Sequence, residues 1–352
     1  MPKFGLSTEI CFGVEAAEAL KPYGGQRALL VTDPYFELNG AAAELLGLFA
    51  PESGCFSKVG GEPTVELAAE GASLLRSLQP RLLIALGGGS AIDCAKGMLA
   101  VTEAGEQPCF IAIPTTSGTG SEVTSYAILT HGGVKQVLRE ERLRPNLAIL
   151  DSRYVRSLPP ALVADGGMDA LCHGFEALVA KNASPFTEAL ALQAVKTLFR
   201  LLPLAYRGKQ EVGQALLTAS CMAGIAFDRA GLGACHALAH ALGGRFHRPH
   251  GRLNALLLPR VVAWHLRCCP GLYAPLVESL GLSSGRALVY ALNRLCRELG
   301  LPKSLSALKL SREELLGELK PLCRTALADP CSSSDPCSPT EGDYAGILRE
   351  CL

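Results

Sequence analysis

Short apolar runs, RALLVT (27–32), RLLIALG (81–87), CFIAIP (109–114) and LAIL (147–150), alternate along the first 150 residues with stretches of helical period. Among the latter are AAAELLGLF (41–49) and TVELAAEGASLLRSL (64–78). Apolar runs of this length, several ending at Gly, Pro or Asp, predict buried strands. Their alternation with helices predicts βαβ units on a parallel sheet. Such sheets put ligand sites in the loops beyond the strands' C-terminal ends. After Asp151 the strand-like runs fade. Helical period then predicts helices over 160–180, 184–204, 211–227, 233–243, 253–266, 270–281, 285–299, 311–327 and 340–351. Pro159–Pro160, Gly231, Pro249, Pro259 and Pro302 read as caps and stops. The fold class expected is an α/β N-terminal domain with a parallel sheet followed by an all-α domain. The boundary falls near 151–158, giving domains 1–155 and 156–352. The polar stretch DPCSSSDPCSPTEGD (329–343) reads as a surface loop.

Composition agrees with two cores. The chain has 352 residues, 49% hydrophobic and 19% charged, which excludes a disordered chain. Lys plus Arg equals Asp plus Glu at 33 each, and no long basic run occurs, so neither a nucleic-acid nor a membrane-surface partner is expected. The N-terminal segment MPKFGLSTEICFG lacks a signal-peptide pattern, and no apolar stretch reaches the roughly 20 residues that span a bilayer. A soluble, cytoplasmic protein is expected. Its fourteen cysteines form no CxxC pair, and Cys94, Cys172 and Cys221 lie in apolar surroundings. Buried free thiols are therefore expected rather than disulfides, and the spacing does not suit a sulfur-ligated metal.

Two glycine-containing loops carry the first chemical signal. LIALGGGSAIDCAKGMLA (83–100) runs from a strand through Gly87, Gly88 and Gly89 into a helix. Glycines permit close backbone approach and positive φ, and a helix start offers free N–H groups to a pyrophosphate. Ser90 is the expected N-cap, with Asp93 completing a capping box. The spacing is neither GxGxxG nor a Walker loop. In IPTTSGTGSEVTSYAILT (113–130), Thr115, Thr116, Ser117, Thr119 and Ser121 interleave with Gly118 and Gly120 at another strand end. Hydroxyls on such a loop suit ribose and phosphate oxygens. In LLVTDPYF (29–36), Asp33 ends a strand. It reads either as a helix cap or as a carboxylate for an adenosine ribose, which favours NAD over NADP.

The second signal is histidine. Four of the chain's seven histidines fall within HALAHALGGRFHRPH (236–250). Asp169 and His173 are four apart on one helical face, His236 and His240 repeat that spacing, and His250 follows Pro249. Nitrogen and oxygen donors without thiolate suit Fe(II), Zn(II) or Mn(II). Spacing alone does not choose between His236 and His240. His247, flanked by Arg245 and Arg248, reads as solvated or ligand-facing, and His131 and His265 as structural.

Five motifs in order, GGGSAID (87–93), PTTSGTGSEVT (114–124), LPPALVADGGMDALCHGFEA (158–177), GLGACHALAHALGGRFHRPHG (231–251) and NALLLP (254–259), resemble the iron-dependent (group III) alcohol dehydrogenase family over nearly the whole chain. The FHRPHGRLNALLL stretch is most similar to the propanol and ethanol dehydrogenases of bacterial microcompartment operons. The resemblance implies an N-terminal dinucleotide-binding domain and a C-terminal metal- and substrate-binding domain. It implies Asp169, His173, His236 and His250 as metal ligands, with His240 near the substrate as a proton relay. It assigns Gly88, Gly89, Ser90 and Asp93 to the pyrophosphate loop and Thr115, Thr116 and Thr119 to the second cofactor loop. Asp33 becomes the adenosine-side carboxylate, Lys135 and Leu158 further cofactor contacts, and Phe227 a pocket-lining aromatic. The implied activity is reversible hydride transfer between NAD(H) and a short alcohol or aldehyde. Fe(II) or Zn(II) is the implied ion, and a homodimer, with encapsulation in a microcompartment, the implied setting.

Two departures stand out: Ala91 replaces a common proline, and Arg252 replaces an apolar residue, leaving a rim of Arg245, Arg248 and Arg252. That rim keeps open a cyclising lyase of the 3-dehydroquinate synthase type. A metal-dependent hydrolase and a non-catalytic nucleotide-binding protein are further alternatives. Cys172 and Cys235 directly precede His173 and His236, so their approach to the metal is a further expectation.

Overall fold

The four apolar runs become neighbouring inner strands of one parallel sheet. In the computed structural model, which describes residues 4–102 and 107–352, contacts divide the chain into one unit ending at Leu158 and another beginning at Pro159. The first unit contains β1 (Glu9–Phe12), α1 (Ala16–Leu20), β2 (Ala28–Thr32), α2 (Pro34–Leu38), α3 (Ala41–Leu46), β3 (Gly54–Phe56) and α4 (Val65–Leu78). There follow β4 (Leu82–Gly87), α5 (Gly89–Ala100), β5 (Cys109–Pro114), β6 (Tyr126–His131), β7 (Val134–Arg139) and β8 (Leu147–Leu150). The six-stranded sheet has the order β1-β8-β5-β4-β2-β3, with Val31 opposite Ala85 and Ala85 opposite Ala112.

Side chains alternate across this sheet, so each face has its own core. Leu29, Val31, Leu83, Ala85 and Ala112 pack with Ala72, Ile92 and Met98 of α4 and α5. Leu30, Ile84, Leu86, Ile111 and Ile149 pack with Ala16, Leu20, Phe36 and Leu45 on the other face. The chain leaves β2 toward β3 at one edge, then returns to β4 and moves outward through β5 toward the other. The switch point therefore lies between β2 and β4, where Asp33 and Gly87–Gly89 follow the two strand ends. The short edge strands β1 and β3 and the β6–β7 hairpin show no long apolar run. The hairpin turns through Gly132 and Gly133, both at positive φ (56° and 79°).

The second unit is helical: α6 (Pro160–Val179), α7 (Pro185–Tyr206), α8 (Gly213–Ala230), α9 (Ala234–Phe246) and α10 (His250–Cys268), then α11 (Ala274–Ser279), α12 (Gly285–Glu298), α13 (Arg312–Ala328), α14 (Pro330–Ser334) and α15 (Glu341–Arg349). Helix α6 is buried from Gly167 to Val179 and packs on α7, α8 and α10. Sequence-local caps set several ends: Ser184 with Thr187, Ser311 with Glu314 and Thr340 with Asp343 form capping boxes.

Two expectations are corrected here. Pro259 does not stop a helix; α10 runs through it. A proline there leaves the Ala255 carbonyl without its helical donor, and the Cys296 thiol donates to that oxygen at 3.5 Å. Residues 329–343 are not simply a surface loop. They form α14 and the start of α15, and Ser332, Ser334 and Asp335 are buried. Their polarity is satisfied internally: Ser332 Oγ donates to the Ala326 carbonyl, and Asp335 accepts from the Ala234 amide. All fourteen cysteines are free thiols. Among the described residues no single helix is long and apolar enough to cross a membrane.

Candidate metal centre and cofactor loops

Asp169 and His173 lie one turn apart on α6, His236 sits in the first turn of α9, and His250 opens α10. These helices bring four donor atoms together. From Asp169 Oδ1, the Nε2 atoms of His250, His236 and His173 lie at 3.3, 3.6 and 3.9 Å. Four donors around an ion at about 2.0–2.2 Å stand roughly 3.3–3.6 Å apart in a tetrahedron, so the residues fit a divalent cation. Asp169, His173 and His236 are almost fully buried. His173 is sandwiched between Phe227 and His236, with ring centroids at 4.3 and 4.7 Å.

The surroundings fit a cation too. Glu176, a further turn along α6, bonds His236 Nδ1 and accepts the Cys235 amide at 2.7 Å. A carboxylate on the second ring nitrogen aims the first at the metal position. Burial disfavours charge on His236, but Glu176 and Asp169 outweigh it and push the imidazole up to about 10. Burial opposes the Asp169 charge as well, yet His173 and His250 hold its carboxyl well below the usual range. Asn254 Nδ2 donates to Asp169 Oδ1 at 2.8 Å and stands 3.2 and 3.1 Å from His236 Nε2 and His250 Nε2. A proton on His236 and one amide thus face the same point as the donors.

His240 is placed differently. Its Nδ1 is 2.9 Å from Asp329 Oδ2, and its ring stacks on His250 at 5.3 Å and 15°. Asp329 also caps α14 by accepting the Cys331 amide. Burial opposes its charge, but His240 holds its carboxyl down at about 2.

Sequence reading missed Glu176, Asn254 and Asp329. The first two had a signal: Glu176 lies seven residues after Asp169, and Asn254 four after His250, each on the helical stripe of a ligand. Asp329, 89 residues from His240, had none.

The arginine rim is engaged. Arg252 Nε lies 3.1 Å from both Asp165 oxygens, Arg245 pairs with Glu318 at 2.8 Å, and Arg248 donates to the Lys309 carbonyl at 3.3 Å. Carboxylates neutralise two of the three, Arg245 and Arg252, so little of the basic cluster on which the lyase alternative rested remains. His247 is exposed at the end of α9, at φ 51°. Cys172 and Cys235 form a buried thiol pair 4.0 Å apart beside Asn254. Burial pushes Cys172 up to about 11 and Cys235 well above the usual thiol value, so both stay protonated behind the site.

In the first unit the two loops close on each other. The Thr115 amide donates to the Gly87 carbonyl at 3.0 Å. A Cβ on Gly88 would meet Thr116 at 3.2 Å, and one on Gly89 would meet Thr119 at 2.8 Å. The glycines therefore serve close approach. None of the three has positive φ; Gly120 in the second loop does, at 65°. The expected Ser90–Asp93 capping box is absent. The N-cap is Gly88, and no side chain caps the first turn of α5, which leaves that turn open to an anion. Asp93 turns inward instead, accepting the Ile128 amide at 3.1 Å with Lys96 Nζ 4.0 Å away. Lys96, fully buried, donates to Thr124 Oγ1 and the Tyr126 carbonyl, so the pair ties α5 to the β6 hairpin. Asp33 caps α2 through Oδ1 at 3.2 Å, while Oδ2 lies 4.0 Å from where a Gly87 Cβ would stand. Lys135 pairs with Glu62, and Leu158 is partly exposed at the unit's end.

A helical unit with an Asp-His₃ cation site and a parallel sheet with paired anion-suited loops are the parts of a metal-dependent, nucleotide-using oxidoreductase. Residues 7–152 match the iron-containing alcohol dehydrogenase family and residues 163–352 the C-terminal part of the Fe-containing alcohol dehydrogenase family, and the chain belongs to this family. It is 35% identical to the 1-propanol dehydrogenase PduQ of Salmonella typhimurium over the full length of both chains. It is 33% identical to the NADPH-dependent butanol dehydrogenase of Clostridium saccharobutylicum, covering 96% of this chain and 94% of that one. A crystal structure of a 1,3-propanediol oxidoreductase superposes with a TM-score of 0.92 at 31% identity, covering 100% of each chain. The chain is accordingly an oxidoreductase that acts on alcohols with a nicotinamide cofactor and iron.

Proposed function

We propose that the protein interconverts short aliphatic aldehydes, propanal and acetaldehyde among them, with their primary alcohols, using NAD(H). The observation that carries the site assignment is the convergence of three imidazole Nε2 atoms on Asp169 Oδ1 at 3.3–3.9 Å. In this reading Asp169, His173, His236 and His250 hold one divalent ion. Their N₃O set accepts Fe(II) or Zn(II), and family membership supports Fe(II). When bound, the ion supplies Lewis acidity to the substrate oxygen.

Phe227, stacked on His173, gives the site an apolar wall suited to a short alkyl chain. His240 moves the alcohol proton: Asp329 holds its Nδ1, which leaves Nε2 for the transfer. Gly88, Gly89 and Ser90 offer the open first turn of α5 to the cofactor pyrophosphate, with Asp93 bracing the loop from behind. Thr115, Thr116 and Thr119 supply hydroxyls beside it, and Lys135 and Leu158 add contacts. Asp33 favours NAD over NADP, because its second oxygen faces the loop and would repel a 2′-phosphate.

The test is NADH oxidation by the iron-loaded protein with a panel of aldehydes from acetaldehyde upward. NADH is consumed with propanal; His250→Ala loses both metal and turnover, and His240→Ala keeps metal but slows turnover about 100-fold. Absence of NADH consumption with every simple aldehyde overturns the activity, and full metal retention in His250→Ala overturns the site.

A further inference from the structure

Away from this site, a second group of ligand-type side chains gathers where α10 ends. His265, in the last turn of α10, is 1% exposed, and Asp335 is fully buried. His265 Nε2 lies 3.1 Å from Asp335 Oδ2 and 3.3 Å from Oδ1. Cys337 adds its sulfur: one ligand atom from each of the three residues lies within 4.8 Å of the others. Cys268, one turn after His265 on α10 and exposed, is a further thiol near enough to raise that of Cys337, though it is not one of the three whose ligand atoms already lie together. Linear spacing conceals this group, because two donors come from a helix end and two from a segment some seventy residues later.

We propose that His265, Cys268, Asp335 and Cys337 form a second metal site, distinct from the Asp169 centre, for a thiophilic divalent ion such as Zn(II). The donor types are two sulfurs, one nitrogen and one oxygen, all of them zinc ligands; three of the atoms already lie together, and the exposed Cys268 side chain would turn in as the fourth. The 3.3 Å from His265 Nε2 to Asp335 Oδ1 is close to the separation of two light-atom ligands on one ion at about 2.0–2.1 Å, while the 3.1 Å to Oδ2 is a hydrogen-bond distance. Tyr273 OH stands 2.7 Å from His265 Nδ1, so the second ring nitrogen is held and Nε2 is aimed inward. Asp335 has lone pairs to spare. It accepts the Ala234 amide on Oδ2 at 2.8 Å and the Cys337 amide on Oδ1 at 2.9 Å, which leaves one lone pair on each oxygen toward His265.

Burial, then Asp335 and the neighbouring Cys268 and Cys269, push the Cys337 thiol up to about 12. An entering ion displaces the two thiol protons and binds both sulfurs as thiolates, with neutral imidazole and carboxylate completing the shell. Cys268 and Cys269 are exposed, which gives an entry path from the surface. Lys181 Nζ, bonded to Ser338 Oγ at 2.9 Å and the Ser333 carbonyl at 3.2 Å, places a positive charge beside the resulting anionic complex. The ion would join the end of α10 to the residue that caps α9, and its role would be structural.

The probe is Co(II), titrated into the full chain under reducing conditions and followed by near-ultraviolet thiolate-to-cobalt charge transfer. The wild-type chain takes two equivalents, only one of which gives the thiolate band. Cys268→Ser, at an exposed position, weakens that second ion at least 10-fold and diminishes the band, while Cys269→Ser leaves both unchanged. Aldehyde reduction survives in both variants. No thiolate band in the wild-type chain overturns the proposal, as does an undiminished band in Cys268→Ser. A Cys268–Cys337 disulfide that forms in place of metal uptake also overturns it. Failure of the dehydrogenase assay leaves these readouts unaffected, so the two readings fail separately.

Discussion

A Cβ on Gly251 would lie 2.1 Å from the Asp165 carbonyl oxygen and 2.7 Å from its carbon, both backbone atoms that cannot step aside. The first turn of α10 therefore rests directly on α6, and His250, the residue before, lies with its Nε2 3.3 Å from Asp169 Oδ1. Arg252 adds its ion pair with Asp165 at the same place. Gly251→Ala should push the turn away and take His250 Nε2 out of the donor set. Retained iron after dialysis should fall about 10- to 100-fold in affinity, the range seen when residues that orient ligands are lost. Full iron content in this variant, measured by elemental analysis, would show that the contact does not position His250. The four side chains that converge at Asp169 were legible because helical spacing and a short histidine-rich window mark them. The family likeness then separated His236 from His240, which spacing could not. Glycine 251 and Asn254 were visible as letters, but their roles depend on α6 lying against α10, which no local pattern reports.

Elements show the same division. The inner strands were legible because burial on both faces makes them continuous apolar runs; β1 and β3 are short, sit at the edges and show no such run. The segment from Asp329 to Asp335 misleads for a different reason: Ser332 and Asp335 are buried and Asp329 half-buried, yet all are bonded, to Ala326, to Ala234 and His265, and to His240. Helix α9 is consequently held at its N-terminus by Asp335 and Glu176, two carboxylates distant in sequence, in keeping with the positive end of a helix. Asp329 acts in this scheme as a positioning residue, fixing the tautomer and direction of His240. Asp329→Asn keeps the shape but reverses the hydrogen-bond preference at His240 Nδ1. The expected result is a kcat about 10-fold lower with iron content and KM unchanged, and a larger solvent isotope effect as proton movement becomes limiting. Loss of iron, or an isotope effect that stays constant while kcat falls, would assign Asp329 a purely structural part.

At the scale of the whole molecule, all four donors belong to the helical unit, so the stability of that unit is linked to metal and to pH together. Without metal, His236 has its pKa raised from 6.5 to about 10, burial being outweighed by Glu176 and Asp169. A group raised on folding stabilises the folded state fully below its unfolded value and loses that contribution as pH rises through the folded one. The metal-free protein should therefore lose thermal stability between about pH 6.5 and 10. A bound divalent ion replaces the His236 proton, so over this window the loaded protein has no such proton to lose and its stability should stay nearly level. The chain's single tryptophan, Trp264, is buried in α10 and reports on this unit. Its fluorescence melting midpoint should fall by several degrees from pH 7 to pH 9.5 in chelator-treated protein and change little in iron- or zinc-loaded protein. Equal pH slopes with and without metal would mean that protons and metal do not compete at His236, contrary to its place in the donor set. A steeper fall in the loaded form would reverse the sign of the linkage and remove His236 from the ligands.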